Sequence, residues 1–520
     1  MIAVGDPVLD DLIYLSLESG KPVLSFTPPF TPHEITRFLD TIDPFELSPT
    51  AFEAYNRIKS RLNLQSPISI SGDHFLFTLD IHSTIEAKLR FNNKIDWYPQ
   101  NSSVPPLLAL PIRLYFSDFI QLYIEPILAM DPGYYRSKDI FTHNITYDMS
   151  NIEQTLPLRA YIAMGNSWFN FQLGRDKLSF GTAHLGNLAI SDIPEYHEFA
   201  RVSFFTDFFK YSLLISQMPL DITGIYDSGS IAPSFYRTTQ RYLYLHRIDF
   251  TPIKSLSISV SEGIMAGNSA LEIRYLNPMM IFHSLYSFWN YDKWNGGTNH
   301  PEGAGDMNGS IFSLEINWNI IQSFSVYAQF IMNQIATDYK IEQWGVQTSG
   351  LGYLAGARHS RTFGDWGAVF HLELIYTDPY LYLNPSPFAS LIHMRYLGIN
   401  PDRFEYSYIG YKRDCIATTL GASFFNEDNL LLTGEFTWLV LGEHYKMFWD
   451  WENSIEAYYK STPSGIPQNL FILALGVKWN INSNFTLRSN ISGILSVNNG
   501  NERGSNEFGG QASVSLSYQF

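Results

Sequence analysis

The stretch Phe312-Ser313-Leu314-Glu315-Ile316-Asn317-Trp318-Asn319 alternates without a break between apolar and polar side chains. In an extended chain successive side chains point to opposite faces, so this segment has one greasy face and one wet face. A helix would scatter the same residues around its axis. Residues 471–480 repeat the pattern, with Phe471, Leu473, Leu475, Val477 and Trp479 against Ala474, Gly476, Lys478 and Asn480. Ile120, Leu122 and Ile124 against Gln121, Tyr123 and Glu125 do so again. From about Gly72 onward the period of two dominates the chain.

A soluble sandwich alternates too, so the connections must decide. Tight turns at Ser117-Asp118, Gly165-Asn166-Ser167, Thr206-Asp207, Pro252 to Ser255, Ile320 to Ser323, Glu427-Asp428 and Asn482-Ser483 interleave with much longer polar loops. Short turns at one end and long loops at the other are the pattern of outer-membrane barrels. Aromatics flank the short turns: Tyr115, Phe116, Phe119, Trp168, Phe250, Trp318, Phe324, Trp366, Trp479 and Phe485. They form the ring expected at a membrane–water interface. The reading is an all-β, transmembrane, antiparallel up-and-down barrel of about eighteen strands, spanning residues 69–520. Residues 74–91 read as one long strand or a hairpin, and 379–413 mostly as loop. The final strand carries Val514, Leu516, Tyr518 and the terminal Phe520 on one face. A terminal Phe resembles the signal that the barrel-assembly machinery recognises.

Composition agrees. Aromatics make up 16% of the 520 residues and charged residues also only 16%, against about 25% charged in ordinary soluble domains. No run of about 18 apolar residues exists, so any membrane crossing is made by strands. A net charge of -16 argues against a nucleic-acid partner. Cys415 is alone, and a small buried side chain is its expected role. Neither a metal nor a cofactor motif can be read. Nothing near Met1 resembles a secretory signal, and the barrel reading takes one to have been removed.

Residues 1–68 read as a helical periplasmic segment. Asp6-Pro7, Thr31-Pro32 and Ser48-Pro49 each place an N-cap acceptor before a Pro at the first helical position. The third helix, about 49–62, sets Phe52, Tyr55 and Ile58 on one face.

Several segments carry a family resemblance. Gly174-Arg175-Asp176-Lys177-Leu178-Ser179-Phe180-Gly181, then Gly186-Asn187-Leu188 and Ser191-Asp192, resembles a segment of the Wzi-like capsule assembly family. So does Leu245-His246-Arg247-Ile248-Asp249-Phe250, followed by Ser261-Glu262-Gly263 and Tyr275-Leu276-Asn277-Pro278. The N-terminal segment, with Gly20 and the helix after Pro32, takes the place of that family's periplasmic helices. Gly410-Tyr411-Lys412-Arg413-Asp414-Cys415 departs from the family, standing where a Gly- and Pro-rich stretch is expected. The resemblance implies an eighteen-stranded outer-membrane barrel, surrounded by outer-membrane lipid and lipopolysaccharide, that acts as a lectin for capsular polysaccharide at the bacterial surface.

The long polar loop at about 265–308 holds His283, Tyr286, Trp289, Tyr291, Asp292, Trp294, Asn295, Asn299, His300, Glu302 and Asp306. A pyranose offers an apolar C–H face to an indole or phenol ring and hydroxyls to amides and carboxylates, so this mixture suits a sugar. The same aromatics would equally serve as the core of a loop folded inward. Arg175, Asp176, His184 and Asn187 leave their strand near the same rim and could line the mouth, while Arg175 pairing with Asp176 would make that segment purely structural. The polar faces of the strands carry Glu125, Arg247, Asp249, Glu315, His371, Glu373, Glu435 and Lys478 toward the lumen. No GxSxG elbow and no HExxH motif occurs, which argues against an enzyme. The sequence thus leaves a polysaccharide-binding barrel, with a porin for small polar solutes as the competing reading.

Overall fold

The computed structural model describes the chain except residues 64–65, 96–103, 118, 136–139, 147, 154, 156, 221–239, 268–269, 280–281, 283–307, 335–348, 385–386, 397–403, 427–429 and 447–461. Three α-helices come first: α1 (Val8–Ser19), α2 (Pro32–Asp40) and α3 (Pro49–Leu62). Thr31 caps α2 in a reciprocal capping box with Glu34, and Ser48 caps α3 by accepting from the Ala51 N–H. The first helix starts one residue later than expected. Pro7 itself is the capping residue, with no side-chain cap, while Asp6 accepts from the Val8 N–H at 3.1 Å. In α3 the buried face is Thr50, Ala51, Ala54, Tyr55 and Ile58. Phe52 is 41% exposed, so it does not share that face as expected. The helices bury Leu12, Leu15, Ile35, Phe38 and Ile58 together in a small core.

Beyond them the described residues form one 23-stranded sheet, in which every pairing is antiparallel. Each strand pairs mainly with the next along the chain, and the last, Glu507–Gln519, pairs with His82–Phe91. The pairing therefore returns to its start, and backbone groups that an open sheet would leave at its edges are matched there. Phe75–Leu79 and His82–Phe91 run on as one span beside Ile112–Phe116 and Leu108–Ala109, which decides between the strand and the hairpin expected for 74–91. The region 379–413 contains a small separate hairpin, Ile392–Tyr396 against Phe404–Tyr408.

The two faces follow the alternation. Leu473, Leu475 and Ile491 are 55%, 57% and 60% exposed on the outward face, a pattern that costs free energy in water and none in hydrocarbon. Inward, Ser313, Glu315, Arg201, Lys210, Ser212 and Arg247 are buried. They are buried because the interior is filled from two directions. At the short-turn end, α1 docks on the strand ends: the Leu17 carbonyl accepts from the Ser323 N–H at 2.8 Å, and Glu18 from Ser360 at 2.5 Å. Residues 24–30 then reach deeper. The Leu24 carbonyl accepts from Ser257 at 2.6 Å, that of Thr27 from Arg201 at 2.7 Å, and that of Phe26 from the Gly181 N–H at 2.8 Å. The N-terminal segment is thus seated in the sheet's interior as well as capping it.

A buried ion pair holds this segment. Lys210 Nζ lies 2.6 Å from Glu34 Oε1, with both side chains almost fully buried. Burial alone would raise the Glu34 carboxyl, but Lys210 and Arg201 beside it hold it below the usual range. A carboxyl depressed on folding stabilises the docked state above its unfolded pKa, about 4.3, and loses that contribution as pH falls through the lower folded value. Acidification below about pH 4 is therefore expected to expose residues 1–63 to an acid-active protease, as followed by mass spectrometry of the fragments. Lys210→Met, which removes the ion-pair partner of Glu34, is expected to do so already at neutral pH; equal protection of variant and parent would contradict the assignment.

Candidate functional site

The second filling element is residues 177–196, between the strands Phe169–Asp176 and His197–Phe205. Leu178, Phe180, Leu188, Ala189 and Ile190 are buried in the main interior cluster with Leu243, Leu354, Ile375 and Tyr382. The segment expected to line the outer mouth instead folds inward, because its apolar residues find partners there and its main chain finds hydrogen bonds. The Leu188 N–H donates to Gln329 at 2.8 Å, Tyr382 donates to the Leu188 carbonyl at 2.7 Å, and the Tyr411 N–H donates to the Asn187 carbonyl at 2.9 Å. Gly181 permits the close approach. Its φ is +118°, and a Cβ there would fall 2.1 Å from Gln329 Nε2 and 2.3 Å from Asn187 Oδ1.

The structure separates Arg175 from Asp176, so their pairing does not occur. Adjacent residues of a strand face opposite sides. Arg175 Nε donates to Glu198 at 2.7 Å, and its guanidinium lies 4.3 Å over the Tyr196 ring. Asp176 points inward and accepts from Arg159 at 2.8 Å, while Arg159 also donates to Glu125 at 3.0 Å. Asn187 donates to Ser179 at 2.8 Å and to the Gly181 carbonyl at 3.1 Å, closing its own loop.

Three further polar groups lie on the inward face among the described residues. In one, Arg247 bridges Asp249 at 2.8 Å and Glu315 at 3.1 Å, and Ser259 adds a donor to Asp249 at 2.5 Å. In the second, His184 lies 2.5 Å and His371 3.7 Å from Glu435, while Glu373 accepts from Tyr327 at 2.7 Å. In the third, Lys478 is half-buried in the electrostatic field of Arg488 and of Asp10 and Asp11 on α1. The rows neutralise themselves across strands and onto the filling segments.

Tyr286, Trp289, Tyr291, Asp292, Trp294, Asn299, His300, Glu302 and Asp306 lie outside the described residues. The part of that loop that is described does not fold inward. Tyr275 and Phe282 pack with Tyr244 on the outward side of the strand Arg241–Ile253, and the Tyr275 carbonyl lies 3.0 Å from His246 Nε2. Sequence reasoning missed several buried arginines. Arg241 donates to the carbonyls of Ser390 at 2.7 Å and Ile392 at 2.5 Å, Arg395 pairs with Glu153, and Arg413 donates to Tyr408 at 2.8 Å. Arg201 and Arg241 sit at inward positions of alternating strands, a signal that was present. Arg395 and Arg413 sit in the loop region, where no periodicity marks them. Arg413 also explains the departing Gly410 to Cys415 segment: it anchors the small hairpin, and a Cβ at 410 would lie 2.0 Å from the Leu188 carbonyl. Cys415 is free and fully buried.

One large antiparallel sheet, greasy on its outward face and covering buried polar and apolar groups on the other, is the fold of outer-membrane β-barrels. No family model and no curated protein matches the chain. Among solved structures, Wzi, an outer-membrane protein involved in group 1 capsule assembly in Escherichia coli and described as a carbohydrate-binding β-barrel, aligns over 99% of this chain and 98% of its own, with a TM-score of 0.57 and 14% identity. At that identity the likeness is one of fold. Pseudomonas aeruginosa OccD3 (OpdP) covers 88% of this chain and 93% of its own, with a TM-score of 0.42 and 8% identity. OprD of the same organism covers 85% and 95%, at 0.41 and 8%.

Proposed function

We propose that the chain is an outer-membrane barrel that binds or helps assemble capsular or extracellular polysaccharide at the cell surface, without enzymatic activity. Residues 1–68 form its periplasmic segment and 69–520 its barrel. Counting Phe75–Leu79 with His82–Phe91, Leu108–Ala109 with Ile112–Phe116 and Ile120–Ile124 with Ile127–Leu128 as single spans, and setting aside Ile68–Ser71 and Phe141–His143, the 23 strands of the sheet reduce to about eighteen. Lipid and lipopolysaccharide cover the outward face.

The observation that carries the reading is the filled interior. A porin needs a continuous aqueous path lined by polar groups. Here residues 24–30 and 177–196 meet inside the sheet, at the bond from the Gly181 N–H to the Phe26 carbonyl, and Arg247 pairs inward with Asp249 and Glu315, and Lys210 with Glu34. Such a barrel serves as a rigid post for its outer loops, where Trp289, Trp294 and their polar neighbours supply stacking and hydrogen-bonding groups for a glycan.

Detergent-solubilised protein is expected to bind surface polysaccharide from its source cells saturably. Trp289→Ala and Trp294→Ala are each expected to weaken binding about tenfold, or about 1.4 kcal/mol. Absence of binding, together with regular conductance steps in planar bilayers, would sink the proposal in favour of a porin.

A further inference from the structure

We propose that His184, His371 and Glu435 form a binding site for a zinc-type first-row divalent cation, which fastens the inward-folded segment to the barrel wall. Their three donor atoms lie within 4.8 Å of one another. His184 Nε2 is 2.5 Å and His371 Nε2 3.7 Å from the same carboxylate oxygen, Glu435 Oε2. Tetrahedral bonds of about 2.0–2.1 Å set donor atoms roughly 3.3 Å apart, a spacing the trio reaches by small side-chain rotations.

Strand register builds the wall half of the site. His371 pairs with Gly421, and Gly421 with Glu435, so the three occupy one row across three adjacent strands. Gly421 leaves the middle of the row empty, and the His371 ring fills it. A Cβ at 421 would fall 2.4 Å from His371 Cε1 and 2.7 Å from its Nε2. The other half comes from the inward-folded segment, and its backbone is fixed. The N–H groups of His184 and Leu185 donate to the two oxygens of Glu373 at 2.7 and 2.9 Å. The two imidazoles lie 3.9 Å apart between ring centres.

One observation points beyond a hydrogen-bonded cluster. His371 is only 8% exposed, yet its Nε2 has no hydrogen-bond partner among the described residues. A buried polar atom in that state costs free energy until something occupies it. Its environment supplies a second imidazole nitrogen and a carboxylate oxygen, the donor set of borderline cations such as Zn²⁺, Co²⁺ and Ni²⁺ and a poor one for Ca²⁺ or Mg²⁺. Glu373 adds negative charge behind His184. Arg358, the nearby cation, is engaged with the Thr182 carbonyl and lies 4.1 Å over the Tyr327 ring. The His184 side chain keeps 39% of its surface accessible, which leaves room for a water as fourth ligand.

The test uses the full chain without an affinity tag, purified in detergent, stripped with a chelator and equilibrated with zinc chloride. Elemental analysis after gel filtration is expected to give one zinc per chain, undiminished by excess Ca²⁺ or Mg²⁺. His371→Ala and Glu435→Gln are expected to weaken binding at least about 100-fold, and zinc should raise the unfolding temperature of the parent and not of either variant. His184→Ala, on the inward segment and outside the strand pairing, gives the same reading if a wall variant fails to fold. His359→Ala, at an exposed position away from the trio, should retain the zinc. A parent that binds no zinc after gel filtration, or a His184→Ala variant that binds as the parent does, overturns the site.

Discussion

Arg247→Met is expected to destabilise the folded protein by about 3–5 kcal/mol, measured as a lower midpoint of thermal unfolding in detergent. The side chains of Arg247, Asp249 and Glu315 keep only 2%, 0% and 6% of their surface. Replacing the guanidinium with a side chain of similar length leaves two carboxylates buried within reach of each other, with no cation between them. Loss of Coulomb attraction is the smaller part of the effect; uncompensated desolvation is the larger. The triple variant Arg247→Met, Asp249→Asn, Glu315→Gln is therefore expected to recover much of the stability. A single variant as stable as the parent would mean that water reaches the cluster.

Replacing residues 179–191 with a flexible Gly-Ser stretch of the same length is expected to change the protein from electrically silent to conducting. In planar bilayers the parent should show no regular steps, because Phe180, Leu188 and Ile190 are buried against the wall and against Tyr382 and Tyr411. The replacement removes those side chains and leaves the strand pairing intact. Persistent silence in a correctly folded variant would assign the seal to residues 24–30. Conduction by the parent would contradict the filled interior.

The wall of the molecule was legible because it is made by a local rule. Phe312 to Asn319 must be two-faced whatever lies beyond them, and the positions of Glu315 and Arg247 follow from counting residues along a strand. The filling was not legible, because it is decided by fit. Residues 177–196 carry glycines and polar groups that suit an outer loop equally well, and interior partners such as Gln329, Glu373, Tyr382 and Tyr411 select the inward path. Likewise the trio of His184, His371 and Glu435 joins residues far apart in the chain, and its two wall members come together only through a register that passes over Gly421. Lys210 was hidden for a related reason. Its place on an inward face was countable, but its partner Glu34 sits on a helix whose capping box gave no hint that the carboxylate was shared.

The pairing of Glu507–Gln519 with His82–Phe91 joins the last strand of the sheet to one of its first. Contacts such as that of Arg90 with Gln511, at 3.0 Å, join residues 421 positions apart, so each carries a large loop-closure entropy. Residues 24–30 lie inside the sheet that this pairing completes. Wall and contents therefore hold one another, as a hoop and its staves do: loosening that single seam is expected to free the enclosed segment as well as the strands.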